Sequence, residues 1–457
     1  MRRQLGQARL VRTAVVGCTA LALAVTSAGA VHASAAADRA PAGRAPADPA
    51  RQVLPHNDGW AAADGGTTGG AAADAAHVYT VDTWAELKAA VGNGDGTPRI
   101  IRVAGTLDAN SDATGAPLSC DDYATGGYSL EGYLAAYDPA TWGDAEPSGP
   151  MEEARVASAR RQAAQIRLDL GPNTTLVGIG RNARLLGANV QVRGVDNVIV
   201  RNLTFEDTFD CFPQWDPTDG AEGAWNSEYD SLVVYGSTHV WADHNTFTDG
   251  RRPDDAQPRH YGQLYQQHDG QLDVVRGADL VTLSWNVFAD HSKTILIGNS
   301  DSAGATDRGK LRVTLHHNLF RDAGERAPRV RFGQVDVYDN HHVVKDADAF
   351  GYAYGVGRES AIHAEKNHFT LPASVPASEV LHKWSEAPIT AEDNFVNGAE
   401  VDLIAAHNAA NPAALLQAGA GWSPEYRARV DETGDVPGFV ARWAGAGRLH
   451  KPEPRER

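Results

Sequence analysis

The chain has 457 residues, of which 42% are hydrophobic and 22% charged, and its formal net charge is −17. That length accommodates several average domains or one elongated repeat fold, with apolar content enough for a large core. So acidic a surface repels nucleic acid and anionic membranes, which excludes both as partners.

Arg2, Arg3, Arg9 and Arg12 precede an apolar run over residues 14–31, and Ala33-Ser34-Ala35 follows. A basic segment, an apolar segment and an A-x-A site describe a secretory signal peptide over residues 1–35 and a secreted, extracellular product. The run is short for a bilayer span, and no later stretch is long and apolar enough to make one. Residues 1–35 hold four Arg and no acidic residue, so their removal takes the net charge from −17 to −21. Cys120 and Cys211 then remain; a bridge between them suits an oxidising compartment, but sequence leaves open whether they meet. Residues 36–54, rich in Ala, Pro and Arg, read as a disordered leader. The Gly65–Gly70 stretch reads as loop, residues 78–90 as a strand and a short helix, and residues 152–163 as helix.

From about residue 170 the pattern becomes repetitive. Val198–Phe205, His239–Phe247, Leu280–Phe288 and Arg312–Phe320 share a β-alternating stretch, an Asn and an aromatic shortly after. Fainter copies reach Asn340, Asn367 and Asn394, and successive asparagines from Asn202 lie 43, 41, 32, 22, 27 and 27 residues apart. A recurrence in the twenties matches one coil of a parallel β-helix, and longer intervals are coils with inserted loops. Asn suits the turn because it tolerates the left-handed conformation, and its amide can bond the Asn of the next coil. The rival, a β-sandwich, is disfavoured by the lack of tight hairpin dipeptides. The expectation is therefore all-β: a β-helix domain over residues 55–450, with long loops, a few short helices and a tail over 451–457.

Four places stand out chemically: Asp230, the pair Asp269 and Asp273, Lys293, and the run Arg326-Ala327-Pro328-Arg329-Val330-Arg331. Asp269 and Asp273 share a face if the segment is extended, and clustered carboxylates suit Ca²⁺. With 58 acidic residues in the chain, such a pair also arises by chance as a solvated face. A Lys leading into an apolar strand is ordinarily a surface residue, and clustered Arg ordinarily pair with acids.

The runs Phe212–Gly220, Trp225–Asp230, Val240–Asn245, His268–Gln271 and Arg326–Gly333 resemble the pectate lyases of polysaccharide lyase family one, in the same order and from about Asn57 to Asn394. The likeness is greatest to the bacillus-type secreted enzymes. It implies a single-stranded right-handed parallel β-helix that acts as a monomer on polygalacturonate, the plant cell-wall pectin. It implies Ca²⁺ held by Asp230, Asp269 and Asp273, Arg326 as catalytic base, and Lys293 and Arg331 as substrate-binding residues. His244 matches a family signature and reads as a structural, hydrogen-bonded residue. The family usually has His and Asn where this chain has Asp336 and Asp339, a departure that adds two negative charges just beyond the Arg cluster and leaves rate and pH optimum open, though not the reaction type.

The implied reaction is calcium-assisted β-elimination to 4,5-unsaturated products. Nearby Ca²⁺, Lys293 and Arg331 are expected to lower the Arg326 pKa. The alternatives are a polygalacturonase-type hydrolase, a pectin lyase and a non-catalytic pectin-binding β-helix. A hydrolase needs paired carboxylates and no metal; pectin lyases lack the calcium aspartates.

Overall fold

The computed structural model describes residues 48–449. The expected signal peptide, most of the leader and the 451–457 tail lie outside the described residues. Contacts divide the chain after Pro46, and the fold concerns the unit that begins at Ala47.

Short strands follow one another around a column, each pairing in parallel with its counterparts one coil away. Leu232–Tyr235, Thr238–Asp243 and Thr246–Thr248 belong to sheets of eight, eleven and ten strands respectively. They pair in register with Leu272–Val275, Asp279–Ser284 and Val287–Lys293 of the next coil. No coil can bury its apolar face alone, so stacking creates the core. This is the expected right-handed parallel β-helix.

The aromatics noted after each Asn form a column inside it. Phe205, Phe247, Phe288, Phe320, His342 and Phe369 stack at centroid separations of 4.8, 5.0, 5.1, 4.5 and 4.6 Å. Those separations follow the spacing of hydrogen-bonded strands.

The asparagines form a second column. Asn245, Asn286, Asn318, Asn340, Asn367 and Asn394 each sit one coil apart, the side-chain amide of one donating to Oδ1 of the next at 2.9–3.1 Å. The same Oδ1 atoms accept backbone N–H groups, and each Nδ2 also donates to a carbonyl of the preceding coil. Two details differ from the sequence reading. The left-handed residue is the one before the Asn: His244, Trp285, His317, Asp339, Lys366 and Asp393 have φ of 51–57°. And Asn202 is one place out of register, because Arg201 pairs with Asp243. Asn202 therefore takes the left-handed position itself (φ 58°), and Leu203 donates its N–H to Asn245.

The outer surfaces are covered unequally. Residues 48–54, assigned to the leader by composition, pack on the body: Ala50 and Leu54 are buried, and Arg201 donates to Pro49 and Gln52. The glycine-rich stretch that follows lies against the eleven-stranded sheet, with Ala61 packed on Ile199 and Trp241. Helix Val436–Trp443 covers Val287 and Ala289 of the ten-stranded sheet. A lobe built on helix Pro150–Ile166, longer than its composition suggested, packs against the loops around residues 209–229. Cys120 and Cys211 meet in a disulfide across 91 residues and tie that lobe down. Closing a loop of that length stabilises by about 4–5 kcal/mol in the chain-entropy account.

Asn318→Ala removes an acceptor used by both N–H groups of Asn286 and a donor to the Leu283 carbonyl. We expect a loss of about 2–4 kcal/mol, read as a lower denaturant midpoint. A midpoint within error of the parent contradicts the ladder's role.

Candidate functional site

One turn of the column, between the ten- and eight-stranded sheets, collects the residues singled out by sequence. Ser231 donates its N–H to the Gly270 carbonyl, Gln271 and Leu272 donate to Thr294, and Ile295 donates to Arg326. Lys293 pairs in register with Glu325. Asp230, Asp269, Lys293 and Arg326 thus occupy successive coils at the same turn, although up to 96 residues separate them in the chain. Asp273 stands four residues after Asp269, on strand Leu272–Val275. Of the three aspartates only Asp273 is on a strand, so the approach of Asp269 comes from the turn at Gly270 rather than from one extended segment.

Gly270 sets the geometry. Its N–H donates to Asp230 Oδ1 at 2.9 Å. A Cβ there would fall 2.5 Å from Asp273 Oδ1 and 2.7 Å from Asp230 Oδ1. Two carboxylates therefore close over a position that no side chain can fill. Leu296 N–H donates to Asp273 Oδ1 at 3.0 Å, and Lys293 Nζ lies 3.8 Å from Asp269 Oδ1. Asp273 is buried, whereas Asp230 and Asp269 are half-buried.

Burial, then repulsion from Asp273 and Asp269, drives the Asp230 pKa well above the usual carboxylate range. Burial and the charge of Asp269 push Asp273 up to about 7. A protein that gathers three hard oxygen donors without matching positive charge has a place for a divalent cation, and this donor set fits one. Two other groups bring their ligand atoms within 4.8 Å of one another among the described residues, Asp249–Asp254–His268 and His317–Asp339–Asp431.

Arg326 is mostly buried and donates from Nε to Glu325 at 2.9 Å. Lost hydration lowers its pKa, but Glu325, Asp273 and Asp269 outweigh that and the net direction is up. Arg331 faces Asp301 and donates to the Gly298 carbonyl at 2.9 Å.

Asp336 and Asp339 do not belong to this site. Asp336 lies on the eleven-stranded sheet and pairs with Arg427 at 2.6 Å, and Asp339 accepts from the Asp431 N–H. Both fasten the C-terminal segment to the column, through Arg427 and Asp431. His244 has the structural place expected of it, 2.7 Å from Asp243, which is itself paired with Arg201.

The comparisons follow this geometry. The pectate lyase family model matches residues 48–131 and 148–448. The chain is 44% identical over 414 residues to the pectate lyase of Bacillus subtilis, covering 90% of this chain and 96% of that one. The chain belongs to the pectate lyase family. Pectate lyase E of Dickeya dadantii is 36% identical over 354 residues, with 76% of each chain covered. A solved pectate lyase bound to a hexasaccharide superimposes with a TM-score of 0.85 at 43% identity, covering 88% of this chain and all of that one.

Sequence reasoning gave no role to the layer behind the site of this pectate lyase. His268 lies 3.1 Å from Asp254 and 3.3 Å from Asp207, and His291 lies 2.9 Å from Asp249. Against the cost of burial, Asp207, Asp254 and Asp249 raise the His268 pKa to about 10. This charged layer holds the backbone next to Asp269 and Lys293. The only signal in the sequence was the adjacency of His268 to Asp269.

Without a divalent cation, raised carboxylate pKa values mean that the native state binds protons the unfolded chain has released above pH 3.8. That stabilisation is complete below pH 3.8 and is lost as pH rises through about 7. Added Ca²⁺ binds the ionised carboxylates, so its increment in Tm should be several degrees larger at pH 8 than at pH 5. Thermal melts with calcium and with chelator check this; an equal increment at both values counts against the pair as ligands.

Proposed function

We propose that this pectate lyase is a secreted enzyme that cleaves α-1,4-linked polygalacturonate by calcium-assisted β-elimination, leaving a 4,5-unsaturated uronate at the new end. The observation that carries the reading is the single turn at which Asp230, Asp269, Lys293 and Arg326 stack on successive coils, with Asp273 beside them. Asp230, Asp269 and Asp273 would hold Ca²⁺, which supplies charge stabilisation for the enolate that develops when a proton leaves the carbon next to a carboxylate.

The protein's own residues do the rest. Lys293 and Arg331 bind carboxylates of the polymer and fix its register. Arg326 takes the C5 proton; the electron pair forms the C4–C5 double bond, and the C4–O bond breaks. The departing oxygen takes a proton from solvent. A guanidine is a strong base but is rarely neutral, so positive charge brought against Arg326 favours the step. Secretion is supported by residues 1–35 and by the disulfide, which belongs to an oxidising compartment.

The test is ultraviolet absorbance of the unsaturated product on polygalacturonate, with and without chelator. We expect product only with calcium, and a rate that rises with pH above neutrality, since ionised aspartates and a neutral Arg326 are both favoured there. Arg326→Lys should lower kcat roughly 10³-fold while calcium affinity stays within a few-fold. An optimum below neutrality, or an active Arg326→Lys variant, removes Arg326 as the base.

A further inference from the structure

The residue before each ladder Asn stands in the left-handed conformation, and in coil order these positions carry His244, Trp285, His317 and Asp339. The first three rings stack, His244 on Trp285 at 6.0 Å and Trp285 on His317 at 4.2 Å, centroid to centroid. The C-terminal segment crosses this column: Gly445 N–H donates to the Trp285 carbonyl at 2.7 Å, and Asp431 N–H to Asp339 Oδ2 at 2.8 Å.

Where the crossing meets His317, three potential ligand atoms converge. His317 Nε2 lies 3.1 Å from Asp431 Oδ2 and 3.7 Å from Asp339 Oδ2. All three residues are buried; Asp339 is wholly so, and its Oδ1 makes no hydrogen bond among the described residues. A buried carboxylate oxygen without a donor is costly unless a cation faces it. The neighbouring guanidinium groups are engaged elsewhere, Arg429 by Oδ1 of Asp431 and Arg427 by Asp336 and Glu365.

The surroundings of the ring distinguish it from a charged histidine. His268, in the layer behind the cutting site, has a carboxylate at each nitrogen, as an imidazolium does. His317 differs: its Nδ1 lies 2.9 Å from His316 Nδ1, and His316 Nε2 lies 3.3 Å from Asp58 Oδ1. A proton on His316 Nε2, facing Asp58, leaves Nδ1 of His316 to accept from Nδ1–H of His317. Nε2 of His317 then holds a lone pair beside two carboxylates. That is the state of a metal-binding imidazole whose other nitrogen is fixed by a further residue.

We propose that His317, Asp339 and Asp431 form a second metal site, which takes a divalent ion of the zinc class and clips the C-terminal segment to the column. One nitrogen and two carboxylates suit zinc, whereas calcium gathers about six to eight oxygens. Ligand atoms about 2.0–2.2 Å from a tetrahedral ion stand roughly 3.3–3.6 Å apart, and the observed 3.1 and 3.7 Å bracket that range. Asp339 Oδ1 offers a further oxygen. Asp431 comes from 92 positions after Asp339, so the complete site exists only while the segment is docked. The inference is independent of the polysaccharide reading.

The probe is Zn²⁺ alone, titrated calorimetrically into chelator-treated full-length protein with saturating Ca²⁺ present to compete for Asp230, Asp269 and Asp273. A single zinc ion per chain should bind. Asp339→Asn, which keeps an oxygen for the Asp431 N–H, and Asp431→Asn should each weaken that binding at least about tenfold. Asp254→Asn, in the other buried His–Asp group, should leave it within error of the parent. Hydrogen exchange on the parent locates the ion without any variant: zinc should slow exchange in peptides spanning residues 314–318, 336–341 and 427–433. Protection confined to residues 249–273, or zinc affinity unchanged in both Asn variants, places the ion elsewhere and overturns the proposal. So does a parent that gives neither binding heat nor altered exchange.

Discussion

Everything in this molecule depends on coils that stack in register. The constraint is physical: a buried Asn must donate and accept within a wall that admits no water, and its partner is the Asn of the neighbouring coil. From Asn245 to Asn394 each amide meets that demand in the same way. A coil displaced by one residue would break the amide column, turn the Phe247–Phe288–Phe320 stack out of line and place each outward side chain inward. Insertions are therefore confined to loops. The 43- and 41-residue intervals hold the lobe elements around residues 209–229 and 253–267, while the column beneath keeps its spacing.

Register also explains how distant residues become neighbours without a designed pocket. Asp230, Gly270, Thr294 and Arg326 are joined by backbone hydrogen bonds that run along the column. Their side chains need only emerge at one turn. Precision comes from the backbone, and the buried layer of Asp207, Asp249, Asp254, His268 and His291 keeps that backbone from relaxing. Loops supply little of the positioning, in contrast to many enzymes that carry their chemistry on them.

How much of this was legible in the sequence differs from residue to residue. The coil repeat was readable because Asn and Phe recur with it. The exact register was not: Asn202 looks like the first of the series, yet Leu203 holds its place, because pairing of Arg201 with Asp243 fixes alignment and no local signal reports it. The site residues were recognisable by their order and likeness, while their grouping needed the coil topology, which joins positions such as 230 and 270. The fate of Asp336 and Asp339 was hidden for the same reason. Their proximity to the Arg cluster in sequence suggested influence on it, but a chain that turns between sheets every few residues sends neighbours to different walls. Their partners, Arg427 and Asp431, come from about 90 residues later. Leader residues 48–54 misled by composition: small and proline-rich segments read as disordered, but a flat sheet exterior is a surface on which Ala50 and Leu54 can be buried.

The order of charge along the eight-stranded sheet follows from the same geometry. An acidic protein that binds a polyanion must localise its positive charge, and a parallel column does so by grouping the aspartates and the arginines on different coils. Carboxylates occupy the coils of Asp230 and Asp273, and guanidinium groups occupy the coil of Arg326, Arg329 and Arg331. Were the two kinds mixed on one coil, each Arg would be neutralised by an adjacent Asp and the aspartates would have no call on a cation. Separation leaves the first coils deficient in positive charge and the next one only partly compensated, by Glu325 and Asp301. In the proposed reading a divalent ion would satisfy the first deficiency and the substrate's own carboxylates the second. Binding of metal and polymer would then complete this electrostatic arrangement, whose cost to the protein is visible in the raised pKa values of Asp230 and Asp273.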